Sequence, residues 1–171
     1  MTAIVTSAFR TVNAENFKQD VADAATSVYV GIGKADAWSN SLSDTTDTTP
    51  FTPVDALDAT GEAFQNMIGM KLVSSADISH VVPRYTWTTN STYVPWDSDD
   101  GSIYDKKFYI ITSEFKVYKV IKGGGAGSTI QPTQTLTDPQ TESDGYTWKY
   151  MYTISVADAE KFLTNSYMPV K

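Results

Sequence analysis

The chain has 171 residues, of which 41% are hydrophobic, 12% aromatic and 19% charged, a composition typical of a folded globular protein. It contains no cysteine, which excludes disulfides, thiol catalysis and cysteine-based metal sites. Thirteen basic and twenty acidic residues give a formal net charge of -7, which disfavours binding to nucleic acid or to an anionic membrane. The length predicts a single domain over residues 1–171. Because we find neither a secretory signal nor an apolar run of roughly 18 residues, we expect the protein to fold in the cytoplasm.

In the first half of the chain, β-branched runs alternate with segments of helical periodicity. Asn13 is a candidate N-cap, because its side chain can accept a hydrogen bond from the first helical turn. The proline within Thr52–Asp55 suits the first position of a second helix. The predicted elements are a strand over Ala3–Phe9, a helix from Asn13 through Ala25, a buried strand over Ser27–Ile32, a polar loop over Ser39–Pro53 and a helix over Pro53–Ile68.

The second half predicts strands joined by long polar loops, so the chain as a whole predicts a mostly β (α+β) fold. Phe108–Ile121 is rich enough in β-branched and aromatic residues to form two strands or one bent strand. Tyr146–Ile154 alternates, with Tyr146, Trp148, Tyr150 and Tyr152 on one face. The remaining predictions are one or two short strands within Met70–Val82, a polar loop over Thr88–Lys106, a helix capped by Ser155 through Phe162 and a final strand over Tyr167–Val170.

The residue types that carry chemistry do not assemble into a recognisable catalytic motif. His80 is the only histidine and no Gly-x-Ser-x-Gly motif occurs, so a structural role is favoured over a Ser-His-Asp arrangement. Four aspartates near Gly101 could offer oxygen ligands to a hard cation, but they do not match an EF-hand, and a solvated acidic turn is favoured. These aspartates are Asp97, Asp99, Asp100 and Asp105. The sequence therefore predicts no catalytic, cofactor-binding or metal-binding residue.

Five lysines interleave with aromatic residues, a mixture that a surface for single-stranded nucleic acid would use. Strand edges are also commonly protected by lysine, and the rest of the chain is acidic, so edge or interface lysines are favoured. The lysines are Lys106, Lys107, Lys116, Lys119 and Lys122, and the aromatic residues are Phe108, Tyr109, Phe115 and Tyr118.

Four sequence blocks are distinctive in combination, although none is a catalytic motif. They are Ala3–Thr11 followed by Asn16 and Phe17, then Val28–Ser39, Val81–Trp87 and Asp144–Tyr150. In this combination the chain resembles the family of the baseplate wedge subunit, gene product eight, of T-even-type contractile-tailed bacteriophages. Members of that family are longer, so the chain is expected to correspond to their amino-terminal portion.

The resemblance implies layered antiparallel sheets, or a β-sandwich, with two or three short helices in the connecting loops. It implies a structural role without catalysis, in the tail baseplate of the virion after assembly in the cytoplasm of the host bacterium. Partners would be other wedge proteins, similar to gene products six, seven and ten, and a homodimer is compatible with the resemblance. No cofactor, nucleic acid or membrane is implied.

Long polar loops are uncommon in compact domains unless they bind something. Exposed aromatic residues in such loops could anchor a protein interface, and the two arginines could pair with carboxylates across an interface or inside the fold. The candidate interface or family-motif residues are Arg10, Trp38, Arg84, Trp87, Tyr93, Trp96, Tyr146 and Trp148.

Two other functions remain open from the sequence. One is a carbohydrate-binding or other attachment module of a phage tail or neck that stacks sugars on Trp38, Tyr93 or Trp96. The other is a two-carboxylate glycan hydrolase that uses the aspartates between Asp97 and Asp105.

Overall fold

The computed structural model describes residues 7–23, 25–33 and 57–171. Within these ranges the chain forms eight β-strands in three antiparallel sheets and three α-helices, which confirms the predicted mostly β fold. The chain divides into two compact units, residues 1–78 and residues 79–171. The single domain over residues 1–171 stays a prediction.

The first unit consists of two helices and a two-stranded ribbon. Helix α1 spans Ser7–Ala22 and helix α2 spans Leu57–Gln65. Strands β1, Val28–Gly33, and β2, Met67–Val73, pair antiparallel, with a register shift next to Gly33. A 3₁₀ turn over Ser75–Asp77 follows β2 and contacts α1.

Two predicted boundaries in the first unit are wrong. The strand predicted over Ala3–Phe9 is contradicted at residues 7–9, which belong to α1, so Asn13 lies inside the helix instead of capping it. Ala8, Phe9 and Arg10 interrupt the β-branched run, and the alanine and the arginine are strong helix formers. At the end of the second predicted helix, Met67 and Ile68 belong to β2, because pairing with β1 satisfies their backbone groups.

Several predictions in the first half fall on residues outside the described ranges. These are residues 3–6 of the first predicted strand, Trp38, the loop Ser39–Pro53 and the capping sequence Thr52–Asp55. Helix α1 ends at Ala22, three residues before the predicted end at Ala25, and residue 24 is outside the described ranges.

The strand predicted over Ser27–Ile32 forms as β1, but the prediction that it is buried is wrong. Only Val28 is half-buried, and the rest of β1 is exposed. Side chains project from the two faces of the ribbon, and neither face is covered: Tyr29 on one face and Val30 on the other each keep more than half of their surface exposed.

The second unit contains a four-stranded sheet and a two-stranded sheet. The larger sheet has the order β4-β5-β7-β6, and the smaller one pairs β3 with β8. The elements are β3 (Val81–Pro83), β4 (Tyr109–Ile111), β5 (Lys116–Lys122), β6 (Gln140–Thr141), β7 (Thr147–Thr153), α3 (Val156–Phe162) and β8 (Tyr167–Pro169).

Each face of the four-stranded sheet carries its own hydrophobic cluster, because successive side chains of a strand point to opposite faces. The aromatic cluster lies on one face and consists of Tyr93, Ile110, Tyr118, Val120, Tyr146 and Trp148, with Trp87 and Tyr150 packed against it. On the other face, Ile111, Val117 and Ile154 pack against Met168 of β8 and Val82 of β3. The smaller sheet therefore covers one face of the larger sheet, as the layered-sheet prediction requires.

The strand and helix predictions of the second half are confirmed in type. Phe108–Ile121 forms two strands, β4 and β5, and Tyr146–Ile154 forms β7 with Tyr146, Trp148 and Tyr150 on the predicted face. The prediction that Tyr152 shares this face is wrong, because the register between β5 and β7 shifts before Tyr152 and turns its side chain to the opposite cluster. The Ser155 hydroxyl accepts a hydrogen bond from the Asp158 amide at 3.1 Å and caps α3, as predicted.

Candidate interaction surfaces

Three of the eight candidate residues are buried in the aromatic cluster. Tyr146 and Trp148 stack with their ring centroids 5.5 Å apart, and the Tyr93 ring meets Trp148 edge to face at 5.5 Å. Tyr93 was predicted to be an exposed loop aromatic, and that prediction is wrong, since only 2% of the residue is exposed. Its hydroxyl accepts from the Thr88 amide at 2.8 Å and donates to the Thr88 carbonyl at 3.3 Å, so the polar group is satisfied inside the fold.

The Tyr146 hydroxyl joins two loops to this cluster. It donates to the Ala126 carbonyl at 2.6 Å and accepts from the Tyr93 amide at 3.3 Å. The half-buried Trp87 donates its indole N–H to the Ser128 hydroxyl at 3.2 Å. These contacts assign Tyr146 and Trp87 to the stability of the second unit.

A glycine-rich segment, Gly123–Gly127, lies directly on the aromatic cluster. A Cβ at Gly124 would come within 2.7 Å of the Tyr146 ring, and a Cβ at Gly127 would overlap the backbone of Asn90. Close packing therefore explains the glycines at positions 124 and 127.

The carboxylate of Asp144 holds the next loop in place. It accepts hydrogen bonds from the amides of Thr129, Ile130 and Tyr146 at 2.9 to 3.1 Å and from the Ser128 hydroxyl at 3.0 Å. Burial alone would raise the pKa of Asp144, but these four hydrogen bonds to the charged form outweigh it, and the net effect lowers the pKa.

The two arginines differ in their surroundings. Arg84 is half-buried, and its guanidinium donates to the Thr164 carbonyl at 2.9 Å and to the Thr86 hydroxyl at 3.2 Å. It therefore ties β3 to the segment before β8 without using a carboxylate. Arg10 lies exposed on α1.

Trp96 is half-buried at the edge of the second unit. Its ring packs against Phe108 at 4.9 Å and Tyr104 at 6.1 Å, and the Lys119 ammonium lies 4.4 Å from the ring centroid. A cation at this distance from an indole ring is attracted by its π-electrons. Trp96 thus holds Lys119 in position, whereas Tyr93 is buried and Trp38 lies outside the described ranges.

The acidic turn near Gly101 is organised by internal contacts. Asp100 pairs with Lys106 and accepts from the Ser102 amide at 3.0 Å. The hydrogen bond from Lys106, followed by those from Ser102, lowers the pKa of Asp100 to about 2. In the described ranges, no group of three or more acidic or histidine side chains is placed to hold a metal ion.

The β1–β2 ribbon presents a group of exposed apolar side chains in the first unit. Cross-strand pairing puts Tyr29 beside Leu72 and Gly31 beside Met70, so Tyr29, Met70 and Leu72 share one face. Val30 and Ile32 alternate with them and lie on the opposite face. Six ribbon side chains each keep between 52% and 66% of their surface exposed: Tyr29, Val30, Ile32, Ile68, Met70 and Leu72.

Such a surface is unusual for a soluble protein, because large apolar patches mark sites of interaction. Sequence reasoning missed the ribbon as a candidate site, since a β-branched, aromatic strand ordinarily predicts burial in a core. The many large apolar residues in Val28–Ile32 and Met67–Val73 were visible in the sequence. However, nothing in the sequence distinguishes a strand in a core from a strand at a protein interface.

The sequence matches the model of the family described as Bacteriophage T4, Gp8 (Phage-Gp8) over residues 3–103. The match covers more than half of the chain and includes the whole β1–β2 ribbon. The chain belongs to this family. Three of the four sequence blocks lie within the matched range, and the block Asp144–Tyr150 lies outside it. A comparison with curated proteins finds no match.

Membership of the Gp8 family gives the chain a structural role in a phage tail baseplate, in association with other baseplate proteins. The described helices include none with the length and apolar character needed to cross a bilayer.

Proposed function

We propose that this Gp8-family chain is a non-catalytic component of the baseplate wedge of a contractile tail, and that its β1–β2 ribbon binds a neighbouring wedge protein. The partners would be similar to gene products six, seven and ten, with assembly in the cytoplasm of the host bacterium. The observation that carries the proposal is the ribbon, whose large apolar side chains are exposed on both faces. The ribbon also lies entirely within the range of the family match.

The energetics favour an occupied ribbon over a solvated one. Fully burying a large apolar side chain stabilises by about 1.5–3 kcal/mol, so completing the burial of a half-exposed one contributes roughly 1 kcal/mol. Six such side chains would contribute roughly 6 kcal/mol, which offsets only the low end of the roughly 4–15 kcal/mol that association costs, so the apolar surface that the partner buries must supply the remainder. The polar and charged residues around the ribbon would then form the rim.

A substitution at Ile68 tests this role. Ile68 is 64% exposed, so Ile68→Glu leaves the hydrophobic clusters of the second unit intact but places a charge in the proposed interface. A matched control is Leu136→Glu in the second unit, where Leu136 is 59% exposed. Both variants add one carboxylate in place of one exposed aliphatic side chain.

The measurement is light scattering of the purified full chain, alone and mixed with the wedge proteins encoded beside it. We expect wild type and Leu136→Glu to form the same defined complex, and Ile68→Glu to weaken it at least about tenfold while its melting temperature stays within about 2 °C of wild type. A complex that forms equally well with Ile68→Glu would refute the ribbon as the contact surface. If scattering instead shows a homodimer that Ile68→Glu dissociates, the ribbon contacts a second copy.

A further inference from the structure

A cavity of about 210 Å³ opens on the sheet face opposite the aromatic cluster in the second unit. Its apolar lining includes Val82 of β3, Tyr109 of β4, Met151 of β7 and Met168 of β8. Lys119 of β5 also lines the cavity, and its ammonium is held by the Trp96 ring at 4.4 Å. The surface that lines the cavity is entirely apolar, so Lys119 contributes its methylene chain to the lining while its ammonium lies against the Trp96 ring, outside the lining.

A second lysine lies directly beside the first. Lys119 of β5 pairs with Lys149 of β7 in the antiparallel register, and side chains paired in this way project on the same face of the sheet. Like charges directly opposite each other destabilise a sheet. Neither lysine belongs to any of the ion pairs formed among the described residues. Burial and, second, the charge of Lys149 lower the pKa of Lys119.

The arrangement leaves a repulsion that an anion would relieve. An apolar floor beside two lysines suits a ligand that presents a carboxylate next to a bulky apolar side chain. We propose that this cavity binds a peptide segment of a neighbouring baseplate protein in which an acidic residue lies next to a large aliphatic or aromatic one. Lys119 and Lys149 bind the carboxylate, and the apolar side chain fills the cavity over Met151 and Met168.

The charges favour an acidic peptide over nucleic acid. The second unit carries nine basic and ten acidic residues, and the whole chain carries a net charge of -7, so its field does not attract a polyanion. A single carboxylate needs only the two neighbouring lysines for its attraction and does not require a basic protein surface. The cavity and the β1–β2 ribbon have no residue in common, and of the cavity's lining only Val82 lies in the range of the family match. It shares with the proposed function only the premise that the chain acts through protein contacts.

The test uses methyl NMR spectra of the full chain and a capped Glu-Leu-Phe-Glu peptide as probe. We expect the peptide to shift the methyl signals of Met151 and Met168 in a saturable way. The isosteric Gln-Leu-Phe-Gln peptide should bind at least about tenfold more weakly, because it lacks the charge. The substitutions Lys119→Met and Lys149→Met should each weaken binding about three- to tenfold, with a steep dependence on salt.

Lys122→Met is the matched control, because it removes the same charge from an exposed lysine on the same strand, and it should change binding less than about twofold. Ile68→Glu should leave peptide binding unchanged, which separates a failure of this site from a failure of the ribbon. Lys119→Met removes the contact with Trp96 and could destabilise the fold, whereas Lys149 is exposed and Lys149→Met keeps the fold. The Lys149 variant therefore keeps the test valid.

Three results would overturn the proposal. The first is equal binding of the acidic and amide peptides, or methyl shifts that do not include Met151 and Met168. The second is tighter binding of a short oligothymidylate than of the acidic peptide, which would make the lysines a nucleic-acid site. The third is self-association of the chain that Lys149→Met abolishes, which would make a second copy the occupant.

Discussion

The Tyr146 hydroxyl gives the sharpest test of how the second unit is held together. Tyr146 is 1% exposed, and its hydroxyl is the acceptor for the Tyr93 amide and the donor to the Ala126 carbonyl. Tyr146→Phe keeps the ring and its stacking on Trp148 but leaves both backbone groups without this partner. Ala126 is exposed and its carbonyl can be hydrated, whereas Tyr93 is buried, so the main cost falls on the Tyr93 amide.

Leaving one buried amide unsatisfied costs about 1–3 kcal/mol, and the lost bond to Ala126 adds about 1 kcal/mol. The Tyr93 bond is long at 3.3 Å, so we expect a total loss of about 2 kcal/mol in the free energy of unfolding. For a chain of this length that loss lowers the melting temperature by about 4–8 °C. The measurement is urea unfolding followed by tryptophan fluorescence and by near-ultraviolet circular dichroism.

The control is Tyr167→Phe, because Tyr167 is 51% exposed and its hydroxyl makes no hydrogen bond among the described residues. It should change the free energy of unfolding by less than about 0.5 kcal/mol. A Tyr146→Phe variant as stable as Tyr167→Phe, with an unchanged denaturant slope, would mean that the hydroxyl does not stabilise the loops as argued.

Two further substitutions probe the loops around this cluster. Asp144→Asn should lower the free energy of unfolding by about 1–2 kcal/mol near neutral pH, because the charged acceptor of four hydrogen bonds is lost. The pKa of Asp144 is lowered in the folded state, so its carboxylate stabilises the fold above pH 3.8, the ordinary pKa, and this stabilisation is lost as the pH falls below that value. In urea unfolding across that pH range, the free energies of unfolding of wild type and Asp144→Asn should converge. Gly127→Ala should cost about 3 kcal/mol, because the added methyl group overlaps the Asn90 backbone, whereas Gly101→Ala, with open space around it, should be neutral by thermal unfolding; equal melting temperatures for these two variants would contradict the packing argument.

Local signals in the second half of the chain predicted its elements well. The alternation from Tyr146 to Tyr150 and the cap at Ser155 depend on neighbours within a few residues, so the sequence carries them directly. The register shift that turns Tyr152 to the opposite face depends on pairing with β5 and could not be predicted in this way. The burial of Tyr93 could not be predicted in this way. Its two hydroxyl bonds to Thr88 form only because the polar loop folds back on the sheet, which depends on partners distant in the sequence.

The candidate site was the least predictable part, for the same reason. The pairing of Lys119 with Lys149 joins residues 30 positions apart, and it depends on a register that contains two irregularities between β5 and β7. A slip of one residue in that register would place one of the lysines on the opposite face. The sequence predicted Lys119 to be an edge or interface lysine, and the edge interpretation is wrong, because β5 lies between β4 and β7 inside the sheet. The cavity beside Lys119 could not be predicted from the sequence.

The exposure of the β1–β2 ribbon, which contradicts the burial predicted for β1, is explained by the proposed function. Strand sequences such as Val28–Gly33 ordinarily lie in a core, because large apolar residues in water cost free energy in proportion to their exposed area. In the chain alone these residues form the strand but stay exposed on both faces, so local preference and burial disagree. In a sequence that folds alone, local strand preference and side-chain burial are expected to agree, and disagreements between them occur mostly at functional sites. Family membership gives the chain other baseplate proteins as neighbours. Under the proposed function, one of them supplies the missing half of the burial, and local preference and burial then agree in the assembly rather than in the single chain.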